Sequence, residues 1–221
     1  MIGKTTEELI MSTLFGIYGN NKKSTDDLLN KAVFDAVTTS YQEISLAAKQ
    51  ISSIYNELKK SGGEEALAGF REYIQNMALN FDTKASSFTI LLWKDMLQYG
   101  NNQTLAAFFA NYYSLQEDNR ELGNLLMDQA VSTYERFGYN TASNYISSVN
   151  RIFSLGRESE DLKDLLKDFL STWKGISNLE NVSLEQRQNT LEDFATSIKN
   201  SNSLEDIQNS IESYKNQNNI I

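Results

Sequence analysis

The stretch 16–25, Gly-Ile-Tyr-Gly-Asn-Asn-Lys-Lys-Ser-Thr, has the spacing nearest to a phosphate-binding loop. Such a loop needs a second glycine directly before a lysine that is followed by Ser or Thr, so that bare backbone amides can wrap the phosphates. Asn21 stands at that glycine position and no strand precedes it, so a turn leading into a helix cap accounts for the segment. Carboxylates are the next candidates. Asp26-Asp27, Glu64-Glu65 and Glu158, Glu160 and Asp161 fall near expected helix starts, where the macrodipole favours negative charge. Nothing in their spacing marks a general acid paired with a general base. The 221 residues include no histidine and no cysteine. That removes thiolate and imidazole metal ligands, Ser-His-Asp triads, Cys-His pairs and the Glu-x-x-His sites of di-iron bundles. An all-carboxylate Mg²⁺ or Ca²⁺ site is compatible with this composition, but no Asp-x-Asp-x-Asp-Gly loop is present. No catalytic, cofactor-binding or metal residue is assigned, and the chain reads as a binding protein rather than an enzyme.

Aromatic residues offer a second kind of chemistry, that of recognition. Phe88, Trp93 and Tyr99 precede two doublets, Phe108-Phe109 and Tyr112-Tyr113. Residues four apart on a helix are neighbours, so Phe108 lies over Tyr112 and Phe109 over Tyr113, on two different faces. One face serves the home core. The other must be covered by a further helix, another subunit or an apolar surface, or be left as an exposed patch. A core helix buried on two sides and a docking surface both satisfy the pattern.

The elements that hold these residues are helices. Proline is absent; it clashes with the preceding helical turn and lacks an N–H, so its absence implies long helices joined by short polar turns. Thr5-x-x-Glu8 caps a short helix reaching about Tyr18. Ser24-x-x-Asp27 opens a second, with Val37, Ile44, Ile51 and Leu58 spaced by seven, and Ser61-Gly62-Gly63 stops it. A third is expected from Glu64 to Tyr99, with Leu67, Phe70, Ile74, Met77, Phe81, Phe88 and Leu92 on its stripe. A fourth spans Gln103 to Phe137, with Asn119 in register on its apolar stripe as a packing-register residue. Gly138 ends it as a left-handed cap, and Thr141 is the expected N-cap of a fifth. Leu155, Leu162, Phe169 and Ile176 repeat by seven, as do Ile152, Ser159, Leu166 and Trp173 on the adjacent row, so the fifth helix is expected to run unbroken from Ala142 to Ile176. Ser183-x-x-Gln186 caps a shorter helix with Leu191, Phe194 and Ile198. Lys199 to Ser203 separate it from a last helix with Leu204, Ile207, Ile211 and Tyr214, and residues from Asn216 onward are expected to fray. The expected architecture is all-α: a bundle of long antiparallel amphipathic helices with coiled-coil-like segments over 1–178, then short C-terminal helices and a tail over 179–221.

The formal net charge is −9. Nucleic acids and anionic membrane surfaces require clustered Lys and Arg, so neither is an expected partner. No run approaches the ~18 apolar residues of a membrane span, and Glu7 and Glu8 precede the apolar segment Leu9–Tyr18 where a signal peptide is basic. The expected location is cytoplasmic.

Glu135-Arg136-Phe137-Gly138-Tyr139-Asn140-Thr141-Ala142-Ser143-Asn144, with the helix carrying Val149, Ile152 and Leu155 after it, resembles a junction in the PhaE-type accessory subunits of class III polyhydroxyalkanoate synthases. In that family a helix ends in a Leu-Gly-Phe-like sequence, Pro-Thr-Arg-Ser-Asp follows, and an amphipathic helix comes next. Leu125-Leu126-Met127-Asp128-Gln129 resembles the preceding helix. Asn140 replaces the proline, Ala142 the arginine and Asn144 the aspartate. The resemblance covers about residues 105–170. It implies a non-catalytic, cytoplasmic or granule-associated subunit, without cofactor, that binds and activates the synthase catalytic subunit or coats polyester granules as phasins do. Phe108, Phe109, Tyr112 and Tyr113 are then the expected apolar contacts, and Phe137, Gly138, Tyr139 and Thr141 the junction that sets the helix angle. The other reading is a self-associating coiled-coil scaffold, a homo-oligomer favoured by the heptad rows.

Overall fold

The computed structural model describes residues 41–80 and 83–220. The first expected helix, the Ser24 cap, the loop-like segment 16–25 and the early part of the second expected helix lie outside the described residues. Among the described residues there are eight helices and no strand: α1 (Tyr41–Ser61), α2 (Gly63–Asn80), α3 (Thr83–Gln98), α4 (Asn102–Asp118), α5 (Arg120–Gly156), α6 (Leu162–Ser177), α7 (Leu184–Asn200) and α8 (Leu204–Asn218).

The rods expected from periodicity are folded into shorter pieces. In place of one helix from Glu64 to Tyr99 there are α2 and α3, and the hydroxyls of Tyr73 and Thr89 are 2.9 Å apart. A continuous helix rises about 1.5 Å per residue and would separate these positions by about 24 Å, so the two helices fold back on one another. The expected helix from Gln103 to Phe137 is interrupted at Asn119, whose backbone leaves the helical region (φ −150°, ψ 88°). Its side chain accepts a hydrogen bond from the Leu122 amide at 3.1 Å. Asn119 is therefore an N-cap, satisfying an amide that has no intrahelical partner, rather than a register residue on a stripe.

The break at Gly138 is present, with φ 79° and ψ −173°. This is a conformation essentially restricted to glycine, and its ψ differs from that of a left-handed cap. It divides α5 into arms 120–137 and 139–156. The Tyr145 hydroxyl donates to the Leu126 carbonyl at 2.9 Å, although 19 residues of straight helix would span about 28 Å. The arms thus form a hairpin. Thr141 is already inside the second arm, so it is not an N-cap. The expected continuous helix through Gly156 is also absent: α5 ends there, 157–161 turn, and α6 begins at Leu162. The heptad phase survives the turn because both helices face one core, with Ile152, Leu166, Phe169, Trp173 and Ile176 all buried. At the C-terminus the helix persists to Asn218, and Ile220 packs against Gly175 rather than fraying.

α4 is the hub of the first half, packed against α1, α2, α3 and α5. Gly69 permits the closest approach, since a Cβ there would lie 2.0 Å from the Phe109 carbonyl oxygen. One aromatic cluster follows from this packing: Phe70, Tyr73, Trp93, Phe108, Phe109 and Tyr112. A second joins Tyr145, Phe169, Trp173, Phe194 and Tyr214 across α5, α6, α7 and α8. α5 contacts helices of both groups. The Trp173 indole N–H donates to the Thr133 hydroxyl at 3.0 Å, tying α6 to the first arm of α5. No described helix is long and apolar enough to cross a membrane.

Candidate functional site

The aromatic doublets lie mostly in the interior. Phe108, Phe109 and Tyr112 are buried, because α4 is covered on both faces by its own neighbours. A partner does not reach these three rings in this fold, which corrects the docking-surface reading for them. Tyr113 is half-buried beside Gly69, and its phenol is held above its usual range by the hydrogen bond to Glu117 and by that carboxylate's charge.

Among the junction residues Phe137 and Thr141 are buried, while Gly138 and Tyr139 are half-buried at the rim of the core. α3 ends in a turn closed by Asn101 N–H donating to the Met96 carbonyl at 2.9 Å and Gly100 N–H to Leu97 at 3.2 Å. This leaves Tyr99 63 % exposed. Directly after the Gly138 break, Tyr139 turns its ring against Tyr99, with centroids 4.6 Å apart and planes at 35°. The Asn101 carboxamide donates to the Tyr139 hydroxyl. Below this pair, the Tyr134 hydroxyl donates to Asp95 Oδ2 at 2.8 Å, joining α5 to α3 one turn earlier. Burial, then the hydrogen bond to Asp95, push the Tyr134 phenol up to about 12.

α7 forms the other wall. Thr141 is buried and its hydroxyl donates to Glu192 Oε1 at 3.1 Å; Gln188 Nε2 donates to the same oxygen at 3.1 Å. Arg136 turns away toward the end of α6, where Nη2 donates to the Ser177 carbonyl at 2.6 Å and Nη1 to Asn178 Oδ1 at 2.9 Å. Cations suit such exposed C-terminal carbonyls. The Arg136 guanidinium also lies 5.2 Å from the Phe137 ring centroid.

These elements enclose a surface cleft of about 370 Å³ lined by Tyr99, Phe137, Tyr139, Asn140 and Gln188. Phe137 and Tyr139, two of the four expected junction residues, line it; Gly138 sets the turn between them and Thr141 braces it from behind. The lining supplies aromatic faces, phenols and carboxamides, which recognise a side chain by ring contact and hydrogen bonding. Tyr99, Asn101 and Gln188 were not among the expected site residues. Their sequence signal is weak: Tyr99 directly precedes Gly100-Asn101-Asn102, an obvious turn, while Gln188 has no distinguishing spacing.

A second cleft, of about 400 Å³, lies at the turn after Gly156. Its lining includes Asp118 and Lys163, which are paired to each other at 2.5 Å. Among the described residues no three acidic side chains converge as a metal site requires. Comparison of the chain with protein-family models, with curated proteins and with solved structures finds no match.

Proposed function

We propose that this chain is a non-catalytic helical accessory subunit that holds a partner protein at the cleft beside Gly138, and that the partner is the catalytic subunit of a class III polyhydroxyalkanoate synthase. The observation that carries the reading is one of place: the pair of exposed Tyr99 and half-buried Tyr139 lies at Glu135–Asn144, the stretch that resembles the PhaE-type junction. The large exposed hydrophobics among the described residues are few, namely Leu91, Tyr99, Leu125 and Leu184. A focal protein contact fits that distribution better than the broad apolar face a granule coat needs. Of the described heptad residues, Ile51, Leu58, Phe169 and Ile176 are buried and Leu155 and Leu162 are half-buried against the same core, which favours this reading over a coiled-coil scaffold that would expose them to a second copy.

The test is co-expression with a class III catalytic subunit, followed by co-purification and measurement of polymer synthesis. A stable complex with raised synthesis is expected, and Tyr139→Ala should weaken it. No complex and unchanged synthesis with the unaltered chain would remove the synthase partner from consideration.

A further inference from the structure

The donors and acceptors around the cleft are unequally used. The Gln188 carboxamide nitrogen is turned onto Glu192, and the Asn101 carboxamide nitrogen onto the Tyr139 hydroxyl. Arg136, the cation beside Phe137, is held by the Ser177 carbonyl and Asn178 at the end of α6. The opening is lined by the Tyr99–Tyr139 ring pair, with Tyr99 mostly exposed, by Phe137 and by the carboxamides of Asn140 and Gln188; carboxylates stand one hydrogen bond behind, Glu192 on Gln188 and Asp95 on the neighbouring Tyr134. Aromatic faces attract guanidinium and ammonium groups through the ring quadrupole, and nearby negative charge adds to that attraction. Among the described residues guanidinium already pairs with aromatic rings, Arg71 over Tyr55 at 5.4 Å and Arg136 over Phe137 at 5.2 Å. The cleft is of side-chain size, about 370 Å³, and belongs to a chain of net charge −9.

We infer that the occupant of the Tyr99–Tyr139 cleft is an arginine side chain on a basic segment of the partner protein. This rests on the cleft being the partner contact, and it adds the chemistry of what enters it. Planar guanidinium stacks on a tyrosine face and donates to flanking carbonyl and carboxylate oxygens in a way that a neutral isostere does not.

The experiment titrates the full chain with acetylated, amidated Gly-Arg-Gly and follows the ring resonances of Tyr99 and Tyr139 by NMR. Saturable shifts of both are expected, weakening with added salt. Replacing arginine by citrulline, which has the same shape without the charge, should reduce affinity about tenfold, as should Tyr99→Ala or Tyr139→Ala. Tyr99 is mostly exposed, so Tyr99→Ala tests the cleft with the fold intact, checked by an unchanged thermal transition. Equal shifts with the citrulline peptide, or full binding to a folded Tyr99→Ala chain, would overturn the inference. A synthase complex that depends on Tyr139 while the arginine peptide does not bind would also overturn it, leaving the proposed function standing. Arginine binding without a synthase complex would uphold the cleft chemistry and reject that partner.

Discussion

Tyr73 and Tyr145 place phenol groups in the interior, each with its hydrogen bond made inside the protein, to Thr89 and to the Leu126 carbonyl. Burial holds both phenols well above the ordinary value of 10.0, and it raises Tyr134 to about 12. In the unfolded chain these groups ionise near their ordinary value, so the folded state binds more protons at alkaline pH. Their contribution to stability is complete below about pH 10 and is lost as pH rises from there through the folded values. Above the unfolded pKa each fully buried phenol removes about 1.4 kcal/mol per pH unit. Denaturant midpoints measured from pH 8 to 11 should therefore fall steeply above pH 10. Phenolate absorbance of the native protein should lag behind that of the denatured chain. Native titration of all tyrosines near pH 10 would contradict the burial of these groups.

Two glycines govern how the helices are arranged, for different reasons. At Gly69 the constraint is contact, because any Cβ meets the Phe109 carbonyl oxygen and α4 would have to move off α2. At Gly138 it is conformation, since the space is open but the backbone has φ 79° and ψ −173°. Gly69→Ala should cost about 1–3 kcal/mol through overpacking, and Gly138→Ala about 1–3 kcal/mol through backbone strain. Urea denaturation measures both losses. They should differ in where the damage falls: Gly69→Ala should perturb the first aromatic cluster, seen in Trp93 emission, and Gly138→Ala the Tyr99–Tyr139 contact, seen by NMR. Helix ends show which local signals are legible. The Ser183 capping box was readable because all its parts lie within four residues, and both bonds are present, Gln186 N–H to Ser183 Oγ at 3.1 Å and Ser183 N–H to Gln186 Oε1 at 2.9 Å. The Asn119 cap was not, because Asn119 also fits the apolar register of the helices on either side of it.

At the scale of the whole molecule, α5 is the shared element. Its Thr133 and Tyr145 hold Trp173 and Phe169 of the second aromatic cluster, and it packs against α3 and α4, which carry Trp93, Phe108, Phe109 and Tyr112 of the first. Opening either cluster therefore exposes part of the other's support. The two tryptophans report the clusters separately, Trp93 in the first and Trp173 in the second. In single-tryptophan variants Trp93→Phe and Trp173→Phe, each unfolding curve followed by the remaining indole should coincide with the helical circular dichroism of the same variant. Separated transitions would show that the two halves unfold independently.

Composition and periodicity determined that this chain is helical, which residues are apolar enough for the core, where glycine stops a helix and where a capping box such as that of Ser183 starts one. Those properties depend on each residue and its neighbours within a turn or two. Tertiary structure decided where the apparent rods fold back and which aromatic rings are left outside. Two helices packed on one core keep the phase of a single helix, so the repeat through Gly156 is the same for a rod and for a hairpin. Phe108 and Tyr139 are both large aromatic residues on helices; α4 is covered on both sides, while the turn at Gly138 leaves Tyr139 half-buried beside the exposed Tyr99. Burial is set by distant segments, and that is why the cleft beside Gly138 became visible only once α3, α5 and α7 were placed together.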